Sequence, residues 1–197
     1  MEDVMVDRVV RAGLVTLIAA ACATGAAAQE TPSARAGADD HLPWKIAMVS
    51  EKEPGEPLIV SGRILAADGV TPLAGMILDV YHTDTEGYYS RTPTGGADPK
   101  PRIVGRLRTG PDGRYELKTI KPGSYPGTRV PAHIHARVWG PGHPERWIEE
   151  FWFEGDPFIP AAQVQAALSQ GALSPIMKAR KGEDGVLRCE RDIKLDG

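Results

Sequence analysis

Short stretches of hydrophobic residues, separated by turns that contain Gly and Pro, run through most of the chain. Apolar positions spaced two residues apart are typical of half-buried β-strands. On this basis we predict strands over residues 58–66, 76–84, 114–119, 132–139, 148–153 and 186–195. A helix is predicted only after Pro160, over residues 161–168. The pattern therefore indicates an all-β fold, a sandwich of mostly antiparallel strands with one short helix.

Two segments between the predicted strands are long, irregular and rich in Pro and Gly. They cover residues 90–102 and 122–131. Most connections in compact domains are short, and binding sites are often built on long loops that a rigid scaffold positions. We therefore expect these two segments to be site-forming loops.

The N-terminal segment has the composition of a secretory signal peptide. Two arginines precede a mostly apolar run over residues 12–23, and small residues follow up to Ala28. Because this order is typical of signal peptides, we predict that residues 1–28 are a signal and that the protein is exported, either periplasmic or secreted. The alternative is a lipoprotein in which Cys22 carries the lipid anchor.

The rest of the chain is predicted to form one domain. Residues 29–57 are rich in Ala, Gly, Pro and acidic residues, which favours a linker followed by an N-terminal arm. Residues 58–197 then form the β-sandwich, and their number is usual for one domain. No other stretch of the chain approaches the ~20 apolar residues of a bilayer-spanning helix. No transmembrane segment is therefore expected.

Charge and cysteine content remove further possibilities. The 197 residues include 23 Lys and Arg against 26 Asp and Glu, a net charge of −3. A nucleic-acid-binding domain needs a basic face, so we expect no nucleic-acid partner.

Once the signal is removed, Cys189 is the only cysteine, and no internal disulfide can form. Its place on the apolar face of the last strand predicts a buried thiol. Nothing in the sequence indicates an oligomeric state.

The sharpest chemical motif is a His-x-His pair within Pro-Ala-His-Ile-His. Side chains alternate across a strand, so His133 and His135 share one face. Ala132, Ile134 and Ala136 share the opposite, apolar face, which we expect to join the core. Two imidazoles side by side can chelate one metal ion. The alternative is a pair of surface or hydrogen-bonded histidines.

Further ligands must come from elsewhere in the chain. The pattern does not place His82 or His143 convincingly. Tyr89 and Tyr125 are better placed: Tyr89 ends the segment 80–89, and Tyr125 lies eight residues before His133. For each tyrosine taken alone, the alternative is a residue at the edge of the sandwich whose hydroxyl bonds to backbone.

Three motifs, in their order along the chain, resemble those of the intradiol ring-cleavage dioxygenases, the family of catechol 1,2-dioxygenase and protocatechuate 3,4-dioxygenase. They are Gly-Tyr-Tyr ending at Tyr89, Thr-Ile-Lys-Pro-Gly-Ser-Tyr ending at Tyr125, and Pro-Ala-His-Ile-His ending at His135. The resemblance covers residues 58–195. It implies a β-sandwich catalytic domain in which Tyr89, Tyr125, His133 and His135 bind non-haem Fe(III).

The same resemblance implies the reaction. A catechol-type small molecule and O2 are the expected substrates, and the ring opens between its two hydroxyls to give a muconate-type dicarboxylic acid. Tyr125 is the implied catalytic base, which accepts a catechol proton and leaves the iron. The donor chemistry agrees, because phenolate oxygens are hard anionic ligands that prefer a highly charged ion.

The sequence departs from the family pattern at two expected catalytic positions. The family arginine three residues before the first histidine is replaced by Val130, which makes Arg129 the candidate to stabilise the substrate. The family glutamine near the oxygen site is replaced by Glu150, and the alternative for this residue is a solvated strand position. Arg102 and Arg106 are candidates to bind a substrate carboxylate, with a solvated face as their alternative.

Two other functions compete with the dioxygenase. The first half of the domain fits a non-catalytic, transthyretin-like β-sandwich binding module equally well. Such a module does not need the set of two tyrosines and two histidines. A third hypothesis keeps the metal site and fills it with another metal, such as zinc or copper, at the His-x-His pair. The fold alone does not choose among the three.

Overall fold

The computed structural model describes residues 39–90 and 100–196 of the chain. The predicted signal peptide and the alternative anchor at Cys22 lie outside the described residues. So do residues 91–99, which belong to the first predicted loop. In the described ranges, no helix has both the length and the apolar character needed to cross a membrane.

The described part of the chain is built mainly of short strands. In chain order these are β1 (Lys45–Ala47), β2 (Pro57–Leu65), β3 (Ile77–His82), β4 (Ile103–Arg108), β5 (Arg114–Ile120), β6 (His133–Gly140), β7 (His143–Trp147), β8 (Phe151–Phe153), β9 (Ile176–Met177), β10 (Arg180–Lys181), β11 (Leu187–Glu190) and β12 (Ile193–Lys194). The helix α1 (Ala161–Leu168) and a 3₁₀ turn (Gly171–Leu173) lie between β8 and β9. The all-β prediction and the short helix after Pro160 are both confirmed.

The strands form two sheets. One has the order β1-β5-β2-β11-β10, with β12 also paired to β2, and the other has the order β4-β3-β6-β8-β9, with β7 also paired to β6. The long ladders are antiparallel: β2 with β5, β3 with β4, and β3 with β6. Short parallel pairings join β1 to β5 and β8 to β9. The strand β6, which carries the His-x-His pair, lies near the middle of the second sheet.

The core consists of the inward faces of the two sheets. Its fully buried members include Leu58, Val60 and Leu117 from the first sheet and Leu78, Ile134, Ala136 and Val138 from the second. Each large aliphatic side chain contributes about 1.5–3 kcal/mol through burial. The apolar face predicted for residues 132–138 is therefore a core face, as expected. Cys189 is buried in the same core, and burial raises the pKa of its thiol to about 11.

Two predicted strands are shorter than the hydrophobic pattern indicated. The sequence predicts one strand over residues 148–153, but only β8 forms, and Glu150 before it turns its carboxylate towards His135. The sequence also predicts one strand over residues 186–195, which breaks at Arg191 and Asp192 into β11 and β12. The break follows from hydrogen bonding, because an Asp192 side-chain oxygen accepts the backbone N–H of Arg63 on β2.

The hydrophobic pattern did not indicate β4 or β1. Gly105 and two arginines obscure the alternation of β4. A Cβ at this position would lie 2.6 Å from Cδ1 of Ile46, so a larger residue there would displace the Ile46 side chain. Ile46 lies on β1, within the arm predicted over residues 29–57. Part of that arm is therefore an edge strand that packs on β4.

Candidate metal centre

Two phenol oxygens and two imidazole nitrogens converge on one point of the structure. The Tyr125 hydroxyl lies 3.1 Å from Nε2 of both His133 and His135, and the two Nε2 atoms are 2.9 Å apart. The Tyr89 hydroxyl contacts the Tyr125 hydroxyl and lies 3.0 Å from Nε2 of His135. The structure thus brings together the four residues that the sequence analysis selected. We call them the donor cluster.

Alternation along β6 presents the two histidines to the cluster. His133 and His135 point to one side of the strand, and Ile134 between them is fully buried in the core on the other. His133 itself is 5% exposed, so its imidazole is largely shielded from water. Because Ile134 is held by core packing, the spacing of the two imidazoles is fixed by the fold.

The two tyrosines lie on loops that cross at very short backbone distance. Gly87, two residues before Tyr89, has a φ of +87°, and a Cβ there would lie 1.9 Å from the carbonyl oxygen of Ser124. A Cβ on Gly123, in the loop of the second tyrosine, would lie 2.4 Å from the carbonyl oxygen of Thr85. Only glycine permits this crossing, which fixes the two phenol groups relative to each other.

Oxygen atoms behind the histidines direct both Nε2 atoms at the cluster. Nδ1 of His133 donates to the carbonyl oxygen of Pro131 at 2.6 Å, which leaves the Nε2 lone pair free for a ligand bond. Oε1 of Glu150 lies 3.0 Å from Nδ1 of His135, and a carboxylate there favours the proton on Nδ1. The other Glu150 oxygen accepts the indole N–H of Trp152 at 3.1 Å. Partners of this kind commonly orient metal-binding histidines.

This donor set fits a metal cation. The two phenol groups carry at most two protons, which four facing donor atoms would have to share. Even if Tyr125 donates to His133 and Tyr89 donates to His135, no proton lies between the two Nε2 atoms, which are 2.9 Å apart, whereas a cation satisfies all four atoms at once. Imidazole binds zinc, copper and iron alike, but hard anionic oxygens select a hard, highly charged ion. The two tyrosines are therefore the part of the set that favours Fe(III).

Aromatic rings pack against the cluster from the outer face of the sheet. The ring of Tyr81 stacks on His135 with 4.6 Å between centroids and 25° between planes. Trp147 meets His135 edge-on at 6.3 Å. Such packing restricts rotation of the imidazole and lowers the local dielectric constant.

Besides Tyr125, two catalytic residues were predicted, and the structure places them differently. Glu150 lies against the cluster through its contact with His135. Arg129 is exposed, and its guanidinium carbon lies 5.7 Å from the centre of the Phe158 ring. The roles expected for both residues in the reaction stay predictions.

His82, which the sequence pattern did not place, is a buried residue of the scaffold. Its Nδ1 lies 2.6 Å from the Thr83 carbonyl oxygen, and its Nε2 lies 2.7 Å from the Thr119 hydroxyl. Burial lowers the pKa of His82 to about 4, so the imidazole is neutral at pH 7. Thr83 also donates its hydroxyl to the carbonyl of Gly123 at 2.8 Å, which links His82 to the loop of Tyr125.

The two arginines considered as carboxylate receptors are paired with acids of the protein itself. A terminal nitrogen of Arg102 lies 2.5 Å from the Glu53 carboxylate. Nε of Arg106 lies 2.9 Å from Asp79, and a terminal nitrogen of the same guanidinium lies 3.5 Å from Asp39. Both guanidinium groups are thus ion-paired and partly exposed, and the carboxylate-binding role considered for them stays a prediction.

Sequence reasoning missed the groups that orient the ligands. Pro131 belongs to the Pro-Ala-His-Ile-His motif, but the hydrogen bond of its carbonyl with His133 depends on how the chain enters β6. Tyr81 is recognisable only from the register, which places it opposite His135 on the neighbouring strand. Trp152 is likewise opposite His133 on β8. An alternating pattern cannot reveal such pairs, because register depends on the partner strand.

Comparison with known proteins identifies the family. The model of the Dioxygenase family matches residues 30–197. The chain is 31% identical over 170 residues to the protocatechuate 3,4-dioxygenase beta chain of Burkholderia cepacia, covering 80% of this chain and 72% of that protein. It is 30% identical over 147 residues to catechol 1,2-dioxygenase 1 of Acinetobacter lwoffii, covering 66% of this chain and 46% of that protein. This chain thus spans about half the length of the catechol enzyme.

Solved structures agree with this assignment. The dioxygenase domain of a dioxygenase and carbohydrate-binding protein fusion from Streptomyces sp. SirexAA-E matches with a TM-score of 0.58 and 31% identity, covering 80% of this chain and 90% of that one. Catechol 1,2-dioxygenase from Pseudomonas arvilla C-1 matches with a TM-score of 0.59 at 20% identity, covering 80% of this chain and 59% of that one. This match shows a likeness of fold alone. The chain belongs to the intradiol ring-cleavage dioxygenase family.

Proposed function

We propose that the protein is a non-haem Fe(III) dioxygenase that uses O2 to open catechol-type rings between the two hydroxyls. The observation that carries this proposal is the donor cluster, whose phenol oxygens and imidazole nitrogens are 2.9 to 3.1 Å apart across the histidine contacts. Membership in the family supports it. The names of the relatives support a catechol-type substrate.

The protein's own residues have distinct parts in this proposal. When bound, Fe(III) supplies a Lewis acid that two adjacent catechol oxygens chelate and that draws electron density from the ring. Tyr89, His133 and His135 hold the ion, and Tyr125 accepts a substrate hydroxyl proton at its phenolate oxygen. The choice of Tyr125 over Tyr89 for that part follows the family resemblance, because the loops of both tyrosines contain exposed residues, whereas the histidines lie on a central strand.

The reaction balances without a reductant. One molecule of catechol and one molecule of O2 together contain every atom of one molecule of muconic acid. The bond between the two hydroxyl-bearing carbons breaks, and each of those carbons becomes a carboxyl carbon. Because the substrate supplies every electron that O2 accepts, no further electron donor has to bind.

Glu150 and Arg129 are proposed to assist in different ways. Glu150 holds His135 through Nδ1 and is itself held by Trp152, so it acts as a positioning residue. Arg129 lies in the loop that follows Tyr125 and is proposed to offset the negative charge of the bound catecholate. For this its side chain has to leave the ring of Phe158.

We also propose that the protein is exported, on the strength of the signal-like residues 1–28. N-terminal sequencing of protein recovered outside the cytoplasm tests this. A mature chain beginning after Ala28 supports export of a free protein. A lipidated N-terminus at Cys22 supports the anchored alternative, and an intact Met1 in the cytoplasm overturns both.

The decisive experiment is the visible spectrum of the exported protein, together with its metal content. We expect about one iron per chain and a broad tyrosinate-to-Fe(III) band that shifts when catechol is added without O2. Tyr89→Phe and Tyr125→Phe should each change the band. Tyr88→Phe is the matched control, because Tyr88 adjoins Tyr89 but is 38% exposed. A protein that stays colourless after Fe(III) loading refutes the proposal.

One observation favours a second candidate, a divalent-metal site. His133, His135 and Glu150 offer ligand atoms that lie within 4.8 Å of one another. Two histidines and one carboxylate are typical of non-haem Fe(II) oxygenases. Metal analysis with electron paramagnetic resonance separates the candidates, since only high-spin Fe(III) combines a low-field resonance with the tyrosinate band.

A further inference from the structure

A groove borders the donor cluster on the side of Glu150. It lies between β8 and α1 and has a volume of about 260 Å³. Glu150 lines it and contacts His135, while Trp152 lines it and donates to Glu150. The groove therefore meets the cluster at Glu150 and not at any of the four cluster residues, and it is the recess in which we place the ring of a bound diol.

The walls of this groove are apolar and acidic. Ile148, Trp152 and Ala167 supply apolar surface, which suits a flat aromatic ring. Glu149 and Glu150 add two carboxylates, and the remaining polar groups include the Gln163 amide. Of the described residues that line the groove, none is Lys or Arg. A carboxylate carried on the substrate ring would meet like charge here and find no cation.

A second recess borders the cluster on the side of Tyr89, with a volume of about 280 Å³. It contains one arginine, Arg137, together with Asp79. The terminal nitrogens of Arg137 are already paired, one 2.5 Å from Asp79 and the other 2.7 Å from Glu145. The described residues of this recess therefore offer a substrate carboxylate no uncommitted terminal nitrogen either.

The other described arginines near the cluster are also engaged. Arg102 and Arg106 are paired with Glu53 and Asp79. Arg129 lies over Phe158, which lines neither recess, and the part proposed for it is at the catecholate oxygens, not at a substituent of the ring. Family membership does not settle the choice of substrate, because the relatives include both a catechol and a protocatechuate enzyme.

We infer that the site discriminates against carboxylated catechols and takes uncharged ones, such as catechol and benzene-1,2,4-triol. This inference rests on the proposed function and names the substrate class of the same site. The discriminating element is repulsive: Glu149 and Glu150 oppose a ring carboxylate. Specificity built on unfavourable charge contacts is common in binding sites.

The test compares catechol with protocatechuate (3,4-dihydroxybenzoate) on the iron-loaded exported protein. Dissociation constants are read without O2, from the shift of the tyrosinate band, and kcat/KM is measured separately. We expect catechol to bind at least ~10-fold more tightly, because two like charges at close range oppose the carboxylate. Equal or tighter binding of protocatechuate overturns the inference.

A pair of variants on α1 tests the cause. Gln163→Arg places a cation in the groove and should move the catechol-to-protocatechuate ratio towards protocatechuate by ~10-fold. Gln165→Arg is the matched control, because Gln165 lies on the same helix, is exposed and does not line the groove. It adds the same charge and should leave the ratio unchanged. Glu149→Gln should shift the ratio in the same direction as Gln163→Arg, by a smaller factor.

The outcomes separate this inference from the proposed function. If both diols shift the band and Gln163→Arg changes the ratio while Gln165→Arg does not, the inference stands. If both diols shift the band but the two arginine variants behave alike, the ring does not occupy the groove and the inference is wrong. If neither diol shifts the band, the proposed function itself fails, and the inference with it.

Discussion

The crossing of the two tyrosine loops should control metal binding, and Gly87→Ala is the substitution that tests this. The Cβ of alanine at this position would lie 1.9 Å from the carbonyl oxygen of Ser124, whereas ordinary van der Waals contact begins at 3.4 Å. The loops must therefore separate by about 1.5 Å, the difference between these two distances. Tyr89 and Tyr125 lie two residues and one residue from the point of contact.

A displacement of this size is large compared with the geometry of the cluster. The phenol oxygens lie 3.0 and 3.1 Å from the histidine nitrogens, so a shift of half that distance removes at least one ligand from the set. Losing the support that orients a ligand typically costs 10–100-fold in metal affinity. We therefore expect Gly87→Ala to bind Fe(III) at least ~10-fold more weakly.

Gly127→Ala is the matched control. Gly127 has a φ of +73°, close to the +87° of Gly87, and lies two residues after Tyr125. A Cβ on Gly127 has no heavy atom within 4 Å. Both substitutions carry the cost of about 1–2 kcal/mol for an alanine in left-handed backbone, but only Gly87→Ala forces the loops apart.

Iron titration followed by the tyrosinate band, with thermal unfolding of the apoprotein, distinguishes the two effects. Both variants should lose stability from the backbone strain, Gly87→Ala more because of its 1.9 Å overlap with Ser124, and only Gly87→Ala should also lose iron affinity. If Gly87→Ala binds iron as tightly as Gly127→Ala, the crossing does not position the tyrosines. The reasoning from Gly87 and Gly123 would then be wrong.

Three further predictions concern the surroundings of the cluster. Glu150→Gln keeps the shape of the side chain but removes the charge beside His135. Iron affinity should therefore fall by ~10-fold, and the tyrosinate band should move to longer wavelength. An unchanged band contradicts the role given to Glu150. His82 has a folded pKa of about 4 against an ordinary 6.5, so stability is fully present above pH 6.5 and falls by about 3 kcal/mol towards pH 4. Urea unfolding should show this fall, and His82→Gln should flatten it; equal slopes would contradict the assignment. Cys189, with a thiol pKa of about 11, should react with a disulfide reagent at pH 8 only after unfolding, and rapid reaction of the folded protein would refute its burial.

The part of the fold that local alternation determines was predictable from the sequence. Residues 132–139 alternate strictly, and the structure places Ile134 in the core and His133 on the other face, as expected. The helix after Pro160 was also predictable, because Pro160 precedes its first residue, a favoured start. In both cases one periodic segment contains the whole signal.

The parts that depend on a partner segment were not predictable. β4 contains Gly105 because β1 packs across it, and this contact joins residues more than fifty positions apart. The break at Arg191 and Asp192 also depends on β2, because Asp192 accepts the backbone N–H of Arg63 and Gly62 leaves room for the Arg191 carbonyl oxygen, 1.8 Å from where a Cβ would lie. Neither feature can be recognised from the hydrophobic pattern of its own strand.

The donor cluster combines both kinds of information. The spacing of the histidines is local, because β6 sets it by alternation, and a metal-binding pair could be inferred from it directly. The tyrosines are not local: Tyr89 follows β3 of one sheet and Tyr125 follows β5 of the other, and they meet because Gly87 and Gly123 let the loops cross. Alternation therefore predicts that a metal can bind, whereas the crossing brings in the phenol oxygens, the donors that favour the proposed Fe(III). Resemblance to a family was needed for the second step because the glycines that enforce it stand in positions that look like ordinary turns.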